Sequence, residues 1–421
     1  MGSRKLWLAV VVMLMAGCSG ASPSASLATP SPAPPTASPA PSPTASAAPA
    51  PTGLPTPSTG GTLPTAGGWR PVPDQASVTE VEFLHVVWTG ARFVATGVTL
   101  DDSGGTFLDS SDGLVWHRQP ASTARVYPGS LTAGPGGVVA VGTMNDEPAS
   151  WFSPDGMSWT VRADAFPATP TGSDTIRVTA VVATDHGWLA VGREDLSCNT
   201  NCGLAPVRAM AWTSSDGLHW VRIPDQASFS TAAMTGVVRS GAGFVAVGNA
   251  GIHAAAWASP DGVTWSRIRD SSLFHALPNV DPSLWTLVEG VAAGHGVVVA
   301  VGTDGPGGGH GPTARAWWTA DGLTWAQASG DGFMQGELRS VAATAEGFLA
   351  IGASSERCLG GIWASVDAQA WQCSAANRAM AGFDPWAAAA SESAEIAVGY
   401  GGGPEPHPDG LPGAVWWRPV P

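Results

Sequence analysis

Aspartate is the residue whose placement in this chain most invites a chemical reading. It recurs as Asp112, Asp155, Asp216, Asp261, Asp321 and Asp367, each inside a Ser/Thr-x-Asp-Gly-x-x-Trp phrase that is worn in its last copy. Calcium loops stack several carboxylates in one short segment. Each phrase here carries one carboxylate, apart from Asp109 beside the first, so no metal site is expected. A hydrolytic carboxylate pair needs a separation of about 5 to 10 Å, and Glu194, Asp195, Asp304, Glu337 and Asp384 keep that chemistry open. There are two tyrosines, Tyr127 and Tyr400, and the nine histidines are scattered. No His-Glu-x-x-His, Gly-x-Ser-x-Gly or phosphate-loop pattern occurs. No cofactor is expected.

The elements that carry these residues follow from the repeat. Asp-Gly between apolar stretches is a hairpin signal, because glycine takes a positive φ without steric cost. The carboxylate and the Ser/Thr two residues earlier accept backbone N–H groups of the turn, which makes the six aspartates turn formers. A second phrase precedes each turn: Phe93–Gly97, Val138–Gly142, Trp188–Gly192, Phe244–Gly248, Val298–Gly302 and Phe348–Gly352, with a seventh copy at Glu395–Gly399. These short apolar, β-branched runs predict buried strands. With a further strand before each run and one on either side of the turn, the unit has four strands. Four strands per repeat, at a period too variable for a stacked solenoid, predict propeller blades with almost no helix.

Six complete copies run from about Glu82 to Trp371, and the seventh, Trp386 to Trp417, lacks its fourth strand. Trp69-Arg70-Pro71-Val72-Pro73-Asp74-Gln75-Ala76-Ser77 echoes Trp220-Val221-Arg222-Ile223-Pro224-Asp225-Gln226-Ala227-Ser228, a fourth strand and its exit. The first segment of the domain is therefore expected to complete the last blade. The expected fold is all-β: a seven-bladed β-propeller over residues 69–421, four antiparallel strands per blade, closed without open edges.

The Asp-Gly-Trp phrase resembles the Asp-box, or BNR, repeat of sialidase-like propellers, with the glycine one residue closer to the aspartate than in the family's usual Ser-x-Asp-x-Gly-x-x-Trp. The resemblance covers about 350 residues and implies structural hairpins away from the active site. Sialidases of that family use three arginines, a Tyr nucleophile with a Glu partner, and an Asp acid/base. Their early Arg-Ile-Pro is matched here by Arg222-Ile223-Pro224, but on a fourth strand of the third blade, so the match is read as accidental. Neither tyrosine has a glutamate at a telling spacing.

Residues 1–18 read as an export leader, with Arg4 and Lys5 before the apolar run Leu6 to Ala16. Leu14-Met15-Ala16-Gly17-Cys18 resembles a bacterial lipobox, which implies cleavage before Cys18, lipidation of its thiol and stable anchoring. Residues 19–68 are nearly all Pro, Ala, Ser, Thr and Gly without one charge, so they predict a disordered stalk reaching up to about 150 Å. The net charge is −14, or −16 once Arg4 and Lys5 leave with the leader. Such acidity argues against nucleic acid and against any membrane contact beyond the lipid. The expected location is extracytoplasmic, lipid-anchored to the bacterial membrane, as a monomer. Cys198, Cys202, Cys358 and Cys373 form an even set in an exported chain. Pairing Cys198 with Cys202 and Cys358 with Cys373 is expected; a four-Cys zinc site is the alternative and lacks Cys-x-x-Cys spacing.

In such a ring the turns joining strands one to two and three to four share a face and are uniform here. Length variation lies on the opposite face, in 143–150, 193–209, 303–315 and 400–413 between strands two and three, and in the blade connections 160–177, 266–287 and 372–385. Binding residues concentrate on loops over rigid scaffolds, so the candidate ligand face carries Arg177, Arg193, Glu194, Asp195, Arg208, Trp285, His310 and Arg315. The expected function is non-enzymatic binding of an extracytoplasmic protein or glycan through this face. The alternative is a sialidase-like or other glycoside hydrolase at the channel mouth.

Overall fold

The structure is a computed structural model that describes residues 68–73, 75–101, 104–119, 126–167, 175–196, 207–241, 243–268, 285–305, 312–330, 333, 336–353, 358–374, 378–401 and 412–420. The leader, Cys18, all but the last residue of the expected stalk, Cys198, Cys202 and His310 lie outside the described residues.

Seven antiparallel four-stranded sheets form the ring. From the innermost strand outward, blade one is Val81–Trp88, Phe93–Thr99, Gly105–Ser110 and His117–Arg118. Blade two is Val126–Gly134, Gly137–Met144, Glu147–Ser153 and Thr160–Ala163; blade three is Thr175–Thr184, Gly187–Asp195, Val207–Ser214 and Val221–Arg222. Blade four is Ala232–Ser240, Gly243–Ala250, His253–Ser259 and Ser266–Arg267; blade five is Thr286–Gly294, Val297–Asp304, Thr313–Thr319 and Ala326–Gln327. Blade six is Leu338–Thr344, Gly347–Gly352, Ile362–Ser365 and Ala370–Cys373. Ser329–Gly330 adds a short parallel fifth strand along Ala370 and Trp371. Blade seven is Phe383–Ala390, Ala394–Gly401 and Gly413–Pro419, completed by Arg70–Pro71 from the start of the domain: Arg70 lies opposite Trp417 and Pro71 opposite Trp416. Helix is confined to Ala76–Thr79 and two 3-10 turns among the described residues.

The core is distributed. Seven clusters of buried apolar residues occur, and each spans two neighbouring blades, as where Val139 and Val141 of blade two meet Trp188 and Trp212 of blade three. Trp212, Trp257, Trp317 and Trp363 fill the same third-strand position in successive blades, each almost wholly buried. A buried tryptophan removes roughly 150–250 Å² from water, so each of these four interfaces has its own anchor. A ring of small interfaces thus avoids the size limit of a single core.

The turn phrase acts as a hydrogen-bond cage. Asp155 Oδ1 accepts the N–H groups of Met157 at 2.8 Å and Ser158 at 2.9 Å, while Ser153 Oγ accepts the Gly156 N–H at 2.8 Å. The other five aspartates accept the same two amides, including Asp367 from Gln369 and Ala370. In that worn copy Ala368, φ +66°, stands where the others have glycine.

Every innermost strand carries a β-bulge at one level, where its pairing with the second strand shifts by one residue. The extra residues are Leu84, Gly129, Thr179, Thr235, Glu289, Arg339 and Trp386. Opposite each bulge stands the glycine that ends the apolar phrase. A Cβ at Gly192 would fall 2.0 Å from the Arg177 carbonyl oxygen, and one at Gly302 would fall 1.9 Å from that of Leu287. The bulge brings the two backbones that close, and only glycine leaves room.

One expected loop is nearly absent. Strands two and three of blade two run on to Met144 and from Glu147, so 143–150 shrinks to Asn145-Asp146 with φ of +53° and +68°. Two residues with positive φ make the tight hairpin turn that matches strand twist.

Candidate functional site at the channel mouth

Most residues named from the sequence for the variable face lie on strands, because the sheets extend further toward that face than their apolar runs. Arg177 is on the innermost strand of blade three, Arg193, Glu194 and Asp195 on its second and Arg208 on its third. They are closed on one another. Asp195 takes Arg177 at 2.9 Å and Arg193 at 2.9 Å. The buried Glu194 takes Arg208 Nε at 3.1 Å, and Arg208 also reaches Asp225 at 3.0 Å. In blade five Arg315 Nε meets Asp304 at 2.6 Å, and the Thr286 hydroxyl donates to the same carboxylate at 2.7 Å. Trp285 packs its indole over Gly305, where a Cβ would fall 1.8 Å from the ring.

A second constellation sits along the bulges of blades five to seven. In blades three and four the bulge residue is a threonine that ties the ring together. Thr179 Oγ1 donates toward Val191 O of its own second strand and lies 2.7 Å from Met234 O of the next blade; Thr235 repeats this with Val247 O and, at 2.8 Å, Val288 O. The next three blades place Glu289, Arg339 and Trp386 there. Arg339 is the hub: Nη1 donates to Asp384 at 2.7 Å, Nη2 lies 3.6 Å from Glu337, and the guanidinium carbon stands 4.7 Å from the Trp386 ring centre. Tyr400, which the strand register puts opposite Asp384, has its ring 6.2 Å from that of Trp386.

Three ionisable groups on the inner strands are shifted from their ordinary values. Desolvation, then the charge of Glu337, pushes the Glu289 carboxyl up to about 7, with Arg339 acting the other way. Glu289 itself is exposed to solvent. Desolvation, then the hydrogen bond to Asp384 and that group's charge, raises the Tyr400 phenol well above its ordinary value. The phenol is therefore a proton-bearing donor to Asp384. On blade one, desolvation holds His85 at about 4, hence neutral, with a hydrogen bond to the Gly129 backbone. No group of three or more potential metal ligands occurs among the described residues.

Sequence reasoning kept Glu337, Asp384 and Tyr400 in view as hydrolase candidates but passed over Glu289, Arg339 and Trp386. A signal for them existed. All seven bulge residues stand at the same distance before the phrase glycine, and a column reading Leu, Gly, Thr, Thr, Glu, Arg, Trp breaks the repeat's own pattern in blades five to seven.

The molecule is a seven-bladed β-propeller. No family model and no curated protein matches the chain. Among solved structures it is similar to YCF48 bound to a D1 peptide, at 14% identity over 86% of this chain and 100% of that one, TM-score 0.45. It is also similar to Trypanosoma rangeli sialidase in complex with the inhibitor DANA, at 12% identity over 85% of this chain and 58% of that one, TM-score 0.46. A third is the Penicillium chrysogenum alpha-L-arabinanase complexed with arabinobiose, at 10% identity over 81% of this chain and 97% of that one, TM-score 0.45. The chain thus spans little more than half of the sialidase's length. These likenesses describe fold alone.

Proposed function

We propose that the protein is a non-enzymatic binding module, held outside a bacterial membrane by lipid on Cys18 and presenting its variable face to a protein or glycan. The observation that carries the reading is the state of the arginines. Arg177, Arg193, Arg208, Arg315 and Arg339 each face a carboxylate of the protein itself. A sialidase-like site needs arginines free for a substrate carboxylate and a tyrosine easy to deprotonate. Here the Tyr400 phenol is held protonated against Asp384.

One observation favours a second reading, a glycoside hydrolase. Glu289, pushed up to about 7 by desolvation and then by the charge of Glu337, is the kind of carboxyl that can serve as a general acid. A panel of fluorogenic glycosides separates the two. The binding reading expects no turnover above a Glu289→Gln, Glu337→Gln double variant, together with retention of a ligand on a glycan or protein array. Turnover lost in the double variant overturns it. Mass spectrometry of the membrane-extracted protein, expecting a diacylglyceryl Cys18 as the first residue, tests the anchor separately.

A further inference from the structure

An Asp-Gly bond can damage its own chain. The glycine nitrogen, unhindered by a side chain, attacks the aspartate Cγ. Its N–H proton passes to solvent, a carboxyl oxygen leaves as water, and a succinimide ring closes. Water then opens the ring. Opening at the main-chain carbonyl leaves an isoaspartate, whose backbone runs through the former side chain. No reagent but water is needed. Among the described residues the turn phrases hold five such bonds: Asp112-Gly113, Asp155-Gly156, Asp216-Gly217, Asp261-Gly262 and Asp321-Gly322.

The fold cannot dispense with these glycines. Each has a φ between +73° and +79°, which a side chain makes costly. The tips also pack closely on the neighbouring blade. A Cβ at Gly156 would fall 2.6 Å from Val94 Cγ2, and one at Gly217 would fall 2.5 Å from Val139 Cγ2. An isoaspartate lengthens the main chain of the turn by a methylene and drives the tip off that blade.

We propose that the hydroxyl opening each phrase is a chemical guard: Ser110, Ser153, Ser214, Ser259 and Thr319 hold the Asp-Gly bonds against conversion to isoaspartate. The guard oxygen is bonded to both groups that would react. Ser153 Oγ accepts the Gly156 N–H at 2.8 Å and donates to Asp155 Oδ1 at 3.0 Å. The other four repeat both bonds, at 2.8–3.0 Å from the glycine and 3.0–3.2 Å from the aspartate. To react, the glycine nitrogen must give up the hydroxyl, and the carboxylate must leave both the hydroxyl and its two amides. Those amides, Ser158's first, also hold Asp155 below its ordinary value, which depletes the acid form that loses water. The worn sixth phrase is the internal contrast. Ala368 stands there in place of glycine, and its methyl shields the nitrogen. Ser365 Oγ still meets Asp367, at 3.3 Å, but takes no amide from Ala368 among the described residues. Where the hazard is absent, so is the bond that guards against it.

The full chain is incubated at physiological temperature, folded in buffer and unfolded in urea. The conversion leaves mass unchanged, so isoaspartate is located by enzymatic methylation of its free carboxyl and peptide mapping. In the folded parent the five aspartates are expected to stay intact over a period in which the unfolded chain converts. Ser153→Ala is expected to convert at Asp155 about tenfold faster than the folded parent, the effect of two lost hydrogen bonds, with the other four phrases unchanged. Ser153→Thr, the residue type at position 319, should match the parent. Trp159→Ala removes the indole stacked on Phe107 and loosens the same hairpin while keeping the hydroxyl. It should melt lower yet, below its melting range, convert at the parent's rate. Four outcomes overturn the inference: conversion of the folded parent at the unfolded rate, an unchanged Asp155 in Ser153→Ala, or conversion in Ser153→Thr or in Trp159→Ala as fast as in Ser153→Ala.

Discussion

Gln75 and Trp116 belong to different blades and are joined by a hydrogen bond: the Gln75 Oε1 accepts the Trp116 N–H at 2.9 Å, while its Nε2 donates to the Leu114 carbonyl at 2.7 Å. Gln226 makes the same two bonds to Trp265, at 2.8 Å, and Val263, at 2.7 Å. The echo between residues 69–77 and 220–228 therefore encodes more than a fourth strand. It encodes a brace from the end of one blade to the turn of the next.

Gln75→Ala is expected to cost about 1–2 kcal/mol, the worth of two partly exposed hydrogen bonds. Gln226→Ala is expected to cost the same, and the double variant their sum to within about 0.5 kcal/mol, since the sites share no partner. Urea unfolding with an unchanged slope checks this; strong coupling would show that the braces act through the whole ring.

The turn aspartates make the fold acid-sensitive. The Ser158 and then the Met157 amide hold Asp155 below its ordinary value, and the Thr264 amide does so most for Asp261. For Asp112, Asp216 and Asp321 burial works against the same amides, and the amides together prevail. Below about pH 4 the unfolded chain then binds more protons than the folded one, so stability present above the unfolded value is lost as pH falls through the folded values. Through these aspartates the melting temperature should fall below pH 4, while between pH 7 and 5 the raised Glu289 adds stability and the lowered His85 removes it as pH falls. Asp155→Asn, which keeps one acceptor, should shallow that fall.

Arg418 and Glu395 form an ion pair with both side chains buried in blade seven. Arg418 also donates to Ser374 Oγ at 2.9 Å and lies over the Trp69 ring, 4.9 Å from its centre. Glu395→Ala strands a buried guanidinium and is expected to cost about 3–5 kcal/mol. Glu395→Ala with Arg418→Met should recover much of that loss in thermal unfolding, because the penalty lies in the unpaired charge.

Gly192→Ala tests the bulge directly. Its methyl would meet the Arg177 carbonyl at 2.0 Å, so one backbone must move, at a cost of about 2–3 kcal/mol. Gly136, whose added Cβ meets nothing within 4 Å, is the control and should change little on the same replacement.

Cys358 and Cys373 are bridged, with Cα atoms 5.5 Å apart. A closed loop of this length predicts roughly 3 kcal/mol of stabilisation. The Cys358→Ala, Cys373→Ala variant should unfold at correspondingly lower urea. Peptide mapping of the parent reads this bridge and reports the state of Cys198 and Cys202 in the same run.

The fold was legible because its signals are local. Asp-Gly turns, apolar phrases and the Trp at the start of each fourth strand recur within short windows, and the missing strand of blade seven could be matched to Trp69–Pro73 by its echo. Arg177, Arg193, Glu194, Asp195, Arg208 and Arg315 lie on strands rather than on loops, since strand ends run past the apolar run that reveals them. Glu289, Arg339 and Trp386 escaped notice because a bulge is a property of register between two strands. Polarity along one strand does not display it. The phrase glycines were its visible trace, and they were read as strand ends.

A ribosome makes Arg70 and Pro71 before any other strand of the ring and Gly413–Pro419 after all of them. Until the last is made, the earliest strand has no mate, and the interfaces flanking that sector stay wet. Six sectors have all four of their strands earlier, but the circle can shut only after Gly413–Pro419 is made, which leaves an open-sided intermediate as the form most exposed to proteases and chaperones.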